Sequence, residues 1–143
     1  MSAHKETAIW LAIKSRIDTL PSGYARAWPG KTFVPPQAGS PPTPAAYYRI
    51  GQVTSAPRRM LIDDGKPHNR DGFIIVTLVY PLGQDVAVYT QAAGIIASHF
   101  KDGTRMRYGA LCVSVPEYPH VGDGFADAGY WMVPVRIPWG CYV

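Results

Sequence analysis

Residues 72–81 run GFIIVTLVYP. From Phe73 to Tyr80 every residue is aromatic, β-branched, leucine or threonine, with Asp71-Gly72 before and Pro81-Leu82-Gly83 after. That length and composition predict a central β-strand rather than a helix. Alternation puts Phe73, Ile75 and Val79 on one face, interrupted by Thr77, and Ile74, Val76, Leu78 and Tyr80 on the other. A single-layer antiparallel sheet commonly keeps one face polar and wet. Here both faces need cover, and a chain with few helices to provide it points to burial against a neighbour, hence to an oligomer.

The chain has 143 residues, which predicts one domain over 1–143. Apolar residues make up 47% and charged ones 17%, so a core should form beneath a charge-poor surface. Fourteen glycines and fourteen prolines favour turns and loops over long helices. The net charge of +4 permits an anionic partner without requiring one. No apolar run reaches membrane-spanning length. Charges break the N-terminal MSAHKETAIWLAIKSRID where a signal peptide would hold an uninterrupted apolar stretch. Cys112 and Cys141 do not make a disulfide framework; buried thiols in a reducing cytoplasm are expected.

Upstream of the central strand, Ile9, Ile13, Ile17 and Leu20, with Ala12, fall at helical spacing. They predict a first helix over 6–20, capped by Ser2 or Thr7 and ended by Pro21-Ser22-Gly23, with Trp10 at the flank of the stripe. Residues 22–45 hold Trp28-Pro29-Gly30, Phe33-Val34-Pro35-Pro36 and Ser40-Pro41-Pro42-Thr43-Pro44. This Pro-rich arm should be ordered and semi-rigid, anchored by Trp28 and Phe33, rather than a free polyproline ligand. A strand is expected over 46–53. The polar stretch 55–71 carries Arg58, Arg59, Lys66, His68 and Arg70 around Asp63-Asp64-Gly65. It predicts a long hairpin loop in which 59–62 pairs with the start of the central strand, its charges fitting either a solvated loop or a phosphate patch.

Downstream, a second helix is expected over 84–101, capped by Asp85, burying Val88, Ala92, Ile95, Ile96 and Phe100, and stopped by Gly103. Residues 104–115 predict the next strand. Leu111, Val113 and Val115 share a phase with Arg105 and Arg107, and Gly109 between them marks a bulge or a protruding end. A loop over 116–129 leads to a last strand, 130–139, with Trp131, Val133, Val135, Ile137 and Trp139 on one face. Pro134 assigns that strand to a sheet edge or a bulge. The expected class is α+β, a mostly antiparallel sheet of about four to five strands with two helices packed on one face.

Chemistry-bearing patterns are missing. His4, His68, His99 and His120 lack metal-ligand spacing, and no nucleophile elbow, phosphate loop, dinucleotide fingerprint or CxxC occurs. Cys112 has no histidine near it in sequence. Asp123 and Asp127 around Gly124-Phe125-Ala126 suit a turn better than a carboxylate pair. Arg105, Arg107 and Tyr108 give only a fragment of the basic and aromatic interleaving of an RNA-binding sheet. These residues predict an assembly module, neither an enzyme nor a holder of cofactor or metal.

In order and spacing, the chain resembles the lambda-type phage tail terminator, or tail-completion, proteins. The resemblance spans nearly the whole length. It is carried by the N-terminal amphipathic helix, Ala27-Trp28-Pro29, Phe33-Val34-Pro35-Pro36 and Ala46-Tyr47-Tyr48-Arg49-Ile50. It continues in Val79-Tyr80-Pro81 with its following glycine, the alanine-rich helix ending at Phe100, and the alternating strand from Gly129-Tyr130-Trp131 to Ile137-Pro138. The segments 39–44 and 140–143 are less familiar in this pattern.

The resemblance implies a virion protein, encoded by a phage or prophage, at the head-proximal end of the tail and in the host cytoplasm before assembly. It implies a homo-oligomeric ring, commonly a hexamer, with the tail tube protein and the head–tail connector as partners, passing DNA as a transient contact and no membrane. On that expectation Trp28, Phe33, Arg58, Arg59, Arg70, Arg105, Arg107, Trp131 and Trp139 are the interface candidates. One side of a ring contact would come from the Pro-rich arm or the Trp131 strand, and the other from the exposed end of the 104–115 strand.

Overall fold

The computed structural model of the chain describes residues 4–21, 24–38, 43–51, 56–59 and 68–142. In chain order its elements are α1 (Lys5–Asp18), β1 (Ala25–Ala27), β2 (Gln37–Ala38), β3 (Thr43–Pro44), β4 (Tyr47–Ile50), β5 (Ala56–Arg59) and β6 (His68–Pro81). There follow α2 (Val86–His99), β7 (Arg105–Tyr108), β8 (Leu111–Ser114), β9 (His120–Val121), β10 (Phe125–Asp127) and β11 (Tyr130–Tyr142).

The apolar stretch at 72–81 lies within β6, which pairs antiparallel with β11 from Asn69↔Tyr142 to Pro81↔Tyr130. This pair is the spine. The sheet order is β1-β4-β6-β11-β8-β7, with β5 added to the start of β6 and β9 and β10 added to β11. β2 and β3 form a separate small hairpin within the arm.

The α+β class is as expected, but the sheet is larger than expected, curled, and mixed, because β1 runs parallel to β4. Strands of two or three residues such as β1, β9 and β10 show no alternation long enough to register as a pattern. The curl is visible in what α1 touches. It packs on β7 and β8 at one edge. At the other, Arg26 of β1 donates from Nε and Nη2 to the Ile17 carbonyl (3.3 and 3.2 Å).

Both helices cover the face that carries Ile74, Val76 and Leu78. Ile9, Ala12, Ile13, Ile17 and Leu20 of the first helical stripe join Tyr48, Val133, Val135, Ile137 and Trp139 in one buried cluster. Each aliphatic side chain buried there contributes on the order of 1.5–3 kcal/mol. The opposite face has a smaller cluster of Tyr47, Val79 and Met132, on which Phe33 packs. The Phe33 ring lies 4.8 Å from that of Tyr47. At this end of the second face the chain's own arm, not another molecule, provides the cover.

Other expectations change in detail. His4, without a side-chain hydrogen bond, occupies the N-cap of α1; Ser2 lies outside the described residues and Thr7 is inside the helix. The hairpin before β6 forms with 56–59 rather than 59–62 as the pairing segment, and 60–67 lie outside the described residues. Residues 104–115 are not one strand but a hairpin, Tyr108↔Leu111, turning at Gly109-Ala110. Gly109 at φ +60 takes the first turn position, where a two-residue hairpin loop favours glycine. Folding back puts Met106 opposite Val113 on the buried side and Arg105 and Arg107 on the other. Residues 116–129 are not all loop, since β10 makes a second hairpin with β11 through Ala128-Gly129, both at positive φ.

The last strand is no edge. β11 sits in the middle of the sheet despite Pro134. The Pro134 carbonyl accepts from Gly122 N–H (2.8 Å), so the missing N–H also points to that side, away from β6. It faces the gap between β9 and β10, where the outer ladder is already broken.

Candidate interaction surfaces

The nine candidate residues occupy unlike settings. Trp28 is half-buried and meets Trp10 edge-on, ring centroids 6.0 Å apart. Lys14 Nζ lies over its ring. Phe33 is half-buried on Tyr47. Arg70 pairs with Glu6 of α1. Arg58 and Arg59 lie on β5, and their side chains are outside the described set. Trp139 is only 1% exposed, because the odd positions of β11 face the helices, so it belongs to the core rather than to a surface.

Trp131 is half-buried and stacks on Tyr89, centroids 5.7 Å apart with planes 24° apart. The chain passes beneath its indole at Gly124, where an added Cβ would stand 2.3 Å from Trp131 Nε1. Arg105 and Arg107 are exposed, and the sheet register puts them on the same face as Arg49 and Arg136, turned away from the helices.

The surface that sequence reasoning missed is the outer side of α2. The expected buried set was Val88, Ala92, Ile95, Ile96 and Phe100; the buried residues are Tyr89, Ala93, Ile96 and Ala97, followed by Phe100 at the C-cap. Tyr89 sets the rotation. Its hydroxyl donates to the Pro81 carbonyl (3.1 Å) and accepts from Gln84 N–H (3.0 Å), while its ring lies on Trp131. Turning Tyr89 inward turns Val86 and Val88 outward, to 63% and 38% exposure.

A shallow groove follows, lined by Val86, Ala87, Thr90, Gln91, Gly94, Ile95 and Ser98. From Val86 to Ser98 no residue is charged, whereas the water-facing side of a globular helix normally is. Beside it Leu82 is also exposed. The absence of charge over thirteen positions was the signal available beforehand.

Among the described residues the shifted groups form no reactive centre. The Arg70 guanidinium holds the Glu6 carboxyl below its ordinary range. Burial, with the hydrogen bond to Tyr80, pushes Tyr24 up to about 12, and burial raises Tyr47. Burial lowers His99, helped by the positive charges of Arg16 and Arg26. These are structural aromatic and helix-end positions. Among the described residues no group of His, Cys, Asp or Glu could hold a metal ion, and no helix is long and apolar enough to cross a membrane.

Comparison with known proteins gives a family and a fold. The family described as phage tail terminator protein matches residues 8–139. No curated protein matches the chain. Three chains of solved structure do. One of them superposes with a TM-score of 0.66 at 20% identity, over 92% of this chain and 94% of that one, a likeness that speaks for the fold alone.

Proposed function

The chain belongs to the phage tail terminator protein family, and from that premise we propose that it forms a ring, a hexamer, closing the head-proximal end of a tail tube. The family is structural rather than catalytic, with a role in the phage tail. In this reading the ring ends tube polymerisation and presents the surface that the head connector joins. The subunit waits in the host cytoplasm and then takes its place in the virion tail. The tail tube protein and the connector are its partners, and passing DNA a transient one. Arg58 and Arg59 of the 55–71 hairpin, with Arg105 and Arg107, serve the contacts to those parts, whereas Arg70 is taken up by Glu6.

The observation that supports this reading best is the uncharged outer side of α2. A helix that exposes Val86 and Val88 to water, with Ile95 and a central glycine half-buried beside them, has a surface suited to another protein. Ring closure requires one patch to meet a different patch on the next subunit. We assign the α2 groove to one side and the β7–β8 hairpin, whose tip exposes Tyr108, to the other. The arm with Trp28 and Phe33, or the Trp131 strand, is the alternative for the first side.

The test is the mass of the purified protein, by light scattering and native mass spectrometry, alone and after addition of tail tubes. A closed ring that Ile95→Glu reduces to folded monomers supports the proposal. A wild-type protein that stays monomeric under both conditions overturns it, as does a ring indifferent to charge in the groove.

A further inference from the structure

The register of the sheet gathers arginines that are scattered along the chain. Arg49 on β4 stands opposite Thr77 of β6. Arg136 on β11 stands opposite Ile75, and its guanidinium lies 4.1 Å from the centre of the Phe73 ring. Ser114 pairs with Gly140 at one side and with Arg105 at the other, so Arg105 and Arg107 continue the same face across β8 to β7. All four arginines are exposed. Among the described residues none of the four has a carboxylate partner in an ion pair.

We propose that this sheet face binds nucleic acid through the phosphate backbone. Strands lie about 4.8 Å apart, so the row from β4 to β7 crosses about 19 Å, and Arg105 and Arg107 stand about 7 Å apart along β7. Guanidinium groups suit phosphate because their planar fork donates two parallel hydrogen bonds. Arg136 lies over the Phe73 ring and Arg49 Nη2 donates to Met132 Sδ (3.7 Å). Apolar neighbours therefore position these cations and leave donors for a ligand.

Asp71 and Asp127 share the face, but Asp127 sits at its far end, beside the Tyr130 turn, and Asp71 is half-buried. A phosphate backbone offers charge at every step and can meet irregularly spaced arginines. An acidic protein would have to match four fixed positions. That difference favours nucleic acid. The site stands on sheet geometry alone and does not depend on ring formation.

The experiment is fluorescence anisotropy of a labelled DNA duplex titrated with the full chain at several salt concentrations, with poly-glutamate as a competing polyanion. Binding should weaken about 100-fold between 50 and 200 mM salt, a log–log slope near −3 to −4 for about four neutralised phosphates. Each of Arg49→Gln, Arg105→Gln, Arg107→Gln and Arg136→Gln should reduce that slope by about one. Lys101→Gln, on the helix side, should leave it unchanged, and circular dichroism should show every variant folded. Absence of binding at low salt, a slope that ignores the four substitutions, or displacement by poly-glutamate at equal charge each overturns the assignment.

Discussion

Arg16 and His99 close the ends of the two helices on each other. The Arg16 guanidinium donates from Nη2 (2.7 Å) and Nε (3.1 Å) to the His99 carbonyl. In return His99 Nε2 stands 3.0 Å from the Arg16 carbonyl and 2.9 Å from Thr19 Oγ1. A carbonyl can only accept, so Nε2 carries the proton in this arrangement. Carbonyls at helix C-termini lack i+4 partners; Arg16 supplies donors to the His99 carbonyl, and His99 adds a donor to the Arg16 carbonyl, which also accepts from Thr19 N–H and Oγ1.

Arg16→Met should therefore destabilise the subunit by about 1–2 kcal/mol, the order expected for losing a charged donor to a partly buried acceptor. Urea denaturation followed by far-ultraviolet circular dichroism measures it. A change within error of zero would show that the clasp is decorative.

Stability should depend on pH through His99. Its folded pKa lies below the ordinary 6.5 because burial and the charges of Arg16 and Arg26 oppose a second proton. The unfolded chain thus binds that proton more readily, and stability rises with pH across the interval. The contribution is complete above pH 6.5 and is lost as pH falls from there toward the depressed folded value. Melting temperatures at pH 8 and pH 5.5 should differ, and His99→Gln should shrink the difference. An equal difference in the variant would assign the effect elsewhere.

Gly124→Ala should be among the costlier small substitutions. The new Cβ would fall 2.3 Å from Trp131 Nε1, so the indole must leave its place on Tyr89 or the β9–β10 segment must move. Overpacking of this kind costs about 1–3 kcal/mol. Intrinsic fluorescence should shift with stability, since Trp131 is the ring displaced.

Gly94→Ala should act in the opposite direction on the isolated subunit. A Cβ at Gly94 meets no atom within 4 Å, and glycine inside a helix is about 0.5–1 kcal/mol less favourable than alanine. The variant should melt about 2–4 °C higher per kcal/mol gained. If the α2 groove is a subunit contact, the same variant should assemble less readily, and the larger Gly94→Arg should assemble less still.

Much of the architecture is carried by local pattern. The stripe Ile9, Ile13, Ile17 and Leu20 could only be a buried helical face, and the run Phe73–Tyr80 could only be an inner strand, because burial acts on every residue of a regular period. Asp85 was recognisable as an N-cap and accepts from Ala87 N–H as such a residue should. The family, too, was visible in the order of these elements.

Tertiary structure decided what local pattern leaves degenerate. In α2 nearly every residue from Val86 to Ser98 is apolar or small, so periodicity could not choose a buried side; two hydrogen bonds to the Tyr89 hydroxyl and one stacked indole chose it. Pro134 argued for an edge or a bulge until the chain supplied a neighbour whose ladder was broken at the same place. Arg49, Arg105, Arg107 and Arg136 span 88 positions in sequence and share a face only because register, a long-range property of strand pairing, brings them there.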